Sequence, residues 1–233
     1  MALPYRALAT DFDGTLAHDG QVTTGTLNAL RRARDAGLCL LLVTGRELPD
    51  LFNTFADAAL FDRIVAENGA LLYCTASGRV QQLAPSPPDA LVTRLTREGI
   101  PMSVGSTIIA TVEPHEHAVL AAIRDFGLEW HVIFNKGSVM ALPANVTKAT
   151  GLVPALEDIG IAPEQTIAVG DAENDHAFLA MCGLKVAVSN ALPSLKEIAD
   201  VVTVGARGDG VAELIDQVLS GTIRRKGDEE RET

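Results

Sequence analysis

The sequence predicts an α/β fold, a doubly wound and mostly parallel sheet into which a small α+β domain is inserted. Three observations carry that expectation. Short apolar strands alternate with amphipathic helices in the first and last thirds of the chain. Residues 38–43 form a continuous apolar run, the kind buried on both faces of a parallel sheet. The middle third breaks this rhythm with helix, strand, helix and hairpin in succession.

Taken in order, residues 7–10 read as a strand and 24–36 as a helix stopped by Gly37. After the 38–43 strand come a helix over 47–59 and a short strand over 63–65. Pro85, Pro87 and Pro88 then mark a boundary. Beyond it lie helix 89–97, strand 106–112, helix 115–126, and two strand runs, 128–134 and 138–142, joined by the turn Asn135-Lys136-Gly137. The first rhythm returns with helix 148–159, strand 166–169, helix 175–181, strand 185–188, a short helix near Leu195, strand 200–202 and helix 210–219. The expected layout is therefore a Rossmann-like core of 1–84 and 144–220, an inserted domain of 85–143, and a charged, flexible tail of 221–233.

Charge narrows the function. With 19 basic and 30 acidic side chains the net charge is −11, and such a surface repels nucleic acid and anionic membranes. An anionic ligand then needs a locally positive site. No apolar run approaches the length of a membrane span, and residues 1–10 lack a secretory layout. Cys39, Cys74 and Cys182 show no metal or redox spacing and read as small hydrophobes. A cytoplasmic protein, monomeric or homodimeric, is the expectation.

Four polar segments stand out. Asp11-Phe12-Asp13-Gly14-Thr15 follows the first strand, and its extended backbone points Asp11 and Asp13 to one side. Two neighbouring carboxylates suit a nucleophile beside an acid/base with a hard cation, although an Asx turn also explains such a segment. Thr44-Gly45-Arg46 ends an apolar strand where a helix begins, a suitable place for phosphate, yet Thr-Gly often simply ends a strand. Lys148 stands at a helix N-terminus, where the macrodipole disfavours a cation unless an anion is near. Gly170-Asp171-Ala172-Glu173-Asn174-Asp175 follows another strand and offers either a helix cap or oxygen ligands for Mg²⁺. All four lie at strand C-termini or helix N-termini, the edge where open α/β sheets bind ligands.

These four segments, in this order, resemble the motifs of the haloacid dehalogenase (HAD) superfamily of phosphatases. Ala66-Glu67-Asn68-Gly69-Ala70, Val188-Ser189-Asn190-Ala191 and Gly208-Asp209-Gly210-Val211 are similar to segments of its Cof-like branch. The resemblance spans roughly residues 5–217, and the position of the insert is similar to a C2-type cap, here a short αββαββ-like unit. It implies a HAD core and a Mg²⁺-dependent phosphatase for a small phosphorylated metabolite, phosphoglycolate or a sugar or polyol phosphate.

By the same resemblance Asp11 would become an aspartyl-phosphate and Asp13 would act as acid and then base. Asp11, the Asp13 carbonyl, Asp171 and Asp175 would surround the metal. Thr44, Lys148, Asn174 and the amides of Gly14 and Gly45 would hold the phosphoryl oxygens. Arg46 is usual in this branch but could equally pair with Glu47 or Asp50. In the cap, His115 and His131 are candidates to meet the substrate, with His117 and Trp130 beside them, although scattered residues of these types are commonly surface or core. A phosphomannomutase-like phosphotransferase would use the same cap position but a larger cap. A non-catalytic module would be expected to have lost Asp11, Asp13 or Lys148.

Overall fold

The computed structural model describes residues 4–135 and 137–223. The first part of the chain runs β1 (Ala7–Thr10), α1 (Thr24–Asp35), β2 (Cys39–Val43), α2 (Leu48–Thr54), β3 (Arg63–Ala66), β4 (Leu71–Cys74) and β5 (Arg79–Gln82). An inserted segment follows, with α3 (Asp89–Arg97), β6 (Ser103–Val104), β7 (Ile109–Val112), α4 (Glu116–Asp125), β8 (Trp130–Asn135) and β9 (Ser138–Pro143). The chain then returns through α5 (Lys148–Ile159), β10 (Thr166–Gly170), α6 (His176–Met181), β11 (Leu184–Ala187), α7 (Pro193–Ile198), β12 (Val201–Val202) and α8 (Arg207–Ser220).

The large sheet has the order β12-β11-β10-β1-β2-β3-β4-β5. It is parallel from β12 to β3, and β4 and β5 are added antiparallel at one edge. Its central strands β1 and β10 are wholly buried and mostly apolar, because helices cover both faces of such a sheet. Ala29, Leu30 and Ala33 of α1 and Val211, Leu214 and Val218 of α8 enter this core, as do Leu152 and Leu156 of α5 and Phe178 of α6.

The inserted segment has its own antiparallel sheet, β6-β7-β9-β8. Alternation divides its side chains between two faces. Ile109 and Ala141 pack with Leu91 and Leu95 of α3 and Val119 and Ile123 of α4. Met140 and Leu142 pack instead with Ala70 and Val146 of the main body. The insert thus sits over the main sheet with its open face inward.

Several details differ from the sequence expectation, each for a local reason. β4 and β5 were not anticipated, and β5 is exposed along its length, so no apolar alternation signals it. The helix expected over 47–59 ends at Thr54 and resumes as a 3₁₀ turn over Ala56–Leu60. At the break Phe55 is extended and packs on Phe12 and Phe61, with ring centroids 5.2 and 6.2 Å away. The strand expected over 106–112 begins only at Ile109, because the amides before it bond to a side chain of the main body. Asn135 pairs with Ser138, so the hairpin turn has two residues, of which Gly137 has φ +85° and Lys136 lies outside the described residues. Residues 224–233 of the expected tail likewise lie outside them. Among the described residues no helix is long and apolar enough to cross a membrane.

Candidate active site

In the sheet order β1 lies between β10 and β2, so the residues following these three strands meet at one edge. Asp11 follows β1, Asp171 follows β10 and Thr44 follows β2. Parallel pairing keeps the strand ends level, with Thr10 opposite Val169 on one side and Leu42 on the other. The Asp11 amide donates to the Val169 carbonyl at 3.0 Å, which extends the ladder by one residue and fixes the base of the loop. Phe12 is fully buried, anchoring the loop in the core while Asp13 returns to the open side.

Lys148 arrives from the other direction. Thr147 caps α5, accepting from the Thr150 amide while Thr150 Oγ1 accepts from the Thr147 amide. Gly69 and Gly151 make the required approach possible. A Cβ on Gly69 would lie 1.9 Å from the Thr147 carbonyl oxygen, and one on Gly151 would lie 2.4 Å from the Gly69 Cα. With these surfaces in contact, the Lys148 ammonium is buried and donates to Asp11 Oδ1 at 2.6 Å and to Asp175 Oδ1 at 2.5 Å. The anion wanted at this helix N-terminus is supplied by the protein's own carboxylates.

Asp11, Asp171 and Asp175 are all buried, and each offers an oxygen within 4.8 Å of the others. The Lys148 ammonium meets two of these three carboxyl groups. Burial pushes the Asp11 carboxyl up to about 8; Lys148 opposes the shift, and Asp175 and Asp171 add to it. For Lys148, burial alone would lower the ammonium, but the Asp11 and Asp175 carboxylates outweigh it and hold it above its usual range. This excess of buried negative charge, made of hard oxygen ligands, fits a divalent cation such as Mg²⁺.

The remaining contacts divide the acids by duty. Asp175 Oδ2 accepts from the amides of Asp171 and Ala172 at 2.8 and 3.0 Å, so Asp175 braces both the loop and Lys148. Thr15 Oγ1 donates to Asp171 Oδ1 at 3.2 Å. Asp13 faces the cleft, where the Arg46 guanidinium grips both its oxygens at 2.7 and 2.8 Å. Arg46 also reaches Asp50 and Thr54, and its guanidinium lies 5.4 Å from the Phe12 ring centre. Of its two expected partners it takes Asp50, and it adds Asp13, which was not expected.

A cleft of about 490 Å³ opens above this group. Asp11, Asp13, Gly45, Arg46, Glu47 and Asp50 line its lower side, and Ser103, Ile108, Ala110, Thr111, Ser138 and Met140 of the insert line its upper side. Thr44 is buried below Gly45, and its Oγ1 accepts from the Arg46 amide at 3.1 Å.

Some expected residues lie elsewhere. The Gly14 amide donates to the Ala17 carbonyl at 3.0 Å and so closes its own turn instead of facing a phosphoryl oxygen. The Asn174 side chain donates to Asn68 Oδ1 at 2.9 Å and does not line the cleft. His115 precedes α4 in the helical layer of the insert, behind its sheet. His131 pairs in register with Leu142 on the inward face, where burial pushes its imidazole down, but it too lies outside the cleft lining.

Residues missed by sequence reasoning include Thr15, Glu67, Asn68 and Asn190. Asn190 donates to the Gly14 carbonyl at 2.8 Å and accepts from the Arg207 amide, so it ties the Asp11 loop to α8. All four stand in segments singled out for resemblance, but only tertiary contacts give them a task.

The chain is similar to known proteins. Residues 8–92 and 113–215 match the family model of haloacid dehalogenase-like hydrolases. A phosphoglycolate phosphatase of Methanothermobacter thermautotrophicus is 34% identical over 218 residues, covering 90% of this chain and 97% of that protein. One from Metallosphaera sedula is 30% identical over 235 residues, covering 92% and 99%. A haloacid dehalogenase-like hydrolase of Bacteroides thetaiotaomicron shares the fold with a TM-score of 0.78 at 21% identity, covering 92% of this chain and 99% of that one.

Proposed function

The chain belongs to the haloacid dehalogenase-like hydrolases and is a phosphatase, and from that premise we propose that it hydrolyses phosphoglycolate or a similarly small phosphate monoester through a phosphorylated Asp11. The observation that carries this reading is the convergence of Asp11, Asp171, Asp175 and Lys148, buried beneath a cleft that Asp11 itself lines. The substrate class follows the relatives, since both of those described above carry the name phosphoglycolate phosphatase.

Asp11, Asp171 and the main chain at Asp13 would hold Mg²⁺, with Asp175 as their brace. Bound there, the ion would neutralise charge on the phosphoryl oxygens and on the carboxylates that surround them. Lys148, hydrogen-bonded to Asp11, would do the same as a fixed cation, and Thr44 Oγ1, already an acceptor, has its own proton to donate to a phosphoryl oxygen.

An Asp11 oxygen would bond to phosphorus as the bond to the leaving oxygen breaks, and Asp13 would protonate that leaving oxygen. Asp13 would then take a proton from water as the water oxygen bonds to phosphorus and Asp11 departs as carboxylate. Arg46 holds the Asp13 carboxyl at the cleft face by both oxygens, which favours the carboxylate, so it would release one oxygen when Asp13 carries the proton. The insert would act as the cap that covers the leaving group.

The test is a substrate panel with purified protein and Mg²⁺: phosphoglycolate, hexose phosphates and p-nitrophenyl phosphate. The expected outcome is phosphate release with the highest kcat/KM for phosphoglycolate. No release from any of them, or transfer to a second sugar in place of water, would overturn the proposal.

A further inference from the structure

Among the contacts that join the core and the insert, one is made by a side chain of unusual setting. Glu67 follows β3 in the main body and is 1% exposed. Its carboxylate accepts four hydrogen bonds from the loop between β6 and β7: the Ser106 amide at 3.0 Å, the Thr107 amide at 2.8 Å, Thr107 Oγ1 at 2.7 Å and the Ile108 amide at 3.2 Å. A Cβ on Gly105 would meet the same carboxylate at 2.9 Å, so the loop is moulded to it. Ile108, the last of these donors, lines the cleft.

Asn68 extends the connection. Its Oδ1 accepts from Asn174 in the acidic loop, and its Nδ2 donates to Met140 Sδ at 3.1 Å, where Met140 is also part of the cleft wall. Its amide group also lies 3.1 Å from where a Gly45 Cβ would be. Both residues are in the left-handed region, Glu67 at φ +49° and Asn68 at +55°. Such backbone persists only where surrounding contacts over-determine it. Here it turns two consecutive side chains into the space between core and insert.

We propose that Glu67 is a positioning residue for the reaction: its carboxylate fixes the 106–108 loop, and through Ile108 and Met140 this elbow sets the cleft wall against the leaving group. Glu67 reaches no reacting atom. It acts on how tightly a small substrate is confined above Asp11, so it bears on KM more than on the bond-breaking step. The claim rests on the phosphatase reading of the cleft, but the hydrogen bonds do not.

The experiment therefore has two readouts in the full-length protein. Hydrogen exchange of the Ser106, Thr107 and Ile108 amides reports the strut whether or not a substrate is found. Steady-state kinetics with phosphoglycolate and with p-nitrophenyl phosphate reports its use. In Glu67→Ala these amides lose protection, KM for phosphoglycolate rises about tenfold or more, and kcat for p-nitrophenyl phosphate changes by less than about threefold. Glu67→Gln, which keeps one acceptor oxygen, recovers part of both effects. Thr107→Val, a milder change that spares the main-chain bonds, moves KM in the same direction by a smaller factor. Unchanged protection in Glu67→Ala, or lost protection with equal falls in kcat on both substrates and no change in KM, would overturn the proposal. If the wild type hydrolyses nothing, it is the phosphatase reading that fails, while the exchange data still decide whether the strut exists.

Discussion

The lower and upper walls of the cleft are built on different principles. Below, the groups at its centre, Asp11, Asp171, Asp175 and Lys148, are buried and held from several sides: Asp175 alone takes Lys148 and two amides, and Lys148 is shared between two carboxylates. Above, the insert offers Ser103, Ile108, Ala110, Ser138 and Met140, small or apolar side chains without a cation among them. The lower wall is made for charge and admits almost no substitution, because an unpaired buried ion is costly. The upper wall offers shape and a few hydroxyls, which limits what leaving group fits. On the proposed function, chemistry and selectivity fall to separate parts of the chain.

The sharpest way to break this comparison is to remove the cation from the lower wall. Lys148→Met leaves Asp11 and Asp175 facing each other without their shared partner. It should abolish turnover to within about a thousandth of the wild-type rate and destabilise the apo protein by about 3–5 kcal/mol. Steady-state assays and chemical denaturation check both, and Mg²⁺ should restore part of the stability but not the activity. A variant as stable as the wild type without metal would show that the lower wall is not charge-coupled.

Metal removal has a pH dependence whose sign is fixed. The Asp11 carboxyl sits at about 8 in the fold against an ordinary 3.8, so the folded state retains a proton that the unfolded chain gives up. Stability of the apo protein should therefore fall as pH rises from about 4 to about 8. Mg²⁺ should remove that fall by stabilising the carboxylate, so its gain in Tm should be larger at pH 8 than at pH 5. Differential scanning fluorimetry with and without chelator reads this, and an equal gain at both pH values would contradict it. The smallest effect belongs to the upper layer behind the sheet. His115→Ala should change kcat/KM by less than about twofold, since His115 lies with the helices of the insert and outside the cleft.

Much of the lower wall was legible in the sequence because its residues sit at strand ends, where topology alone places them together. Asp11, Thr44 and Asp171 stand out that way, and the parallel sheet order brings them to one edge, whereas Lys148 stands out by its place at a helix N-terminus. The upper wall was not legible. Ile108, Ala110 and Met140 are ordinary apolar residues whose role depends on which face of an antiparallel sheet turns inward, and the histidines that looked chemically suited fall outside the cleft. The partner of the Gly14 amide was not legible for a similar reason: a turn bond to the Ala17 carbonyl occupies it, and no residue type signals that bond. Arg46 shows an intermediate case. Its i,i+4 partner Asp50 was readable from spacing, whereas its bidentate contact with Asp13 joins loops 33 residues apart.

The central claim is that Asp11 carries the phosphoryl group, and rapid acid quench tests it most directly. Wild-type protein mixed with Mg²⁺ and a substrate bearing a radiolabelled phosphoryl group should precipitate with label attached, and the label should disappear on further incubation as free phosphate forms. Asp11→Asn should retain no label and release no phosphate. Phosphate release by the wild type with no protein-bound label at any time, or hydrolysis surviving in Asp11→Asn, would contradict the account.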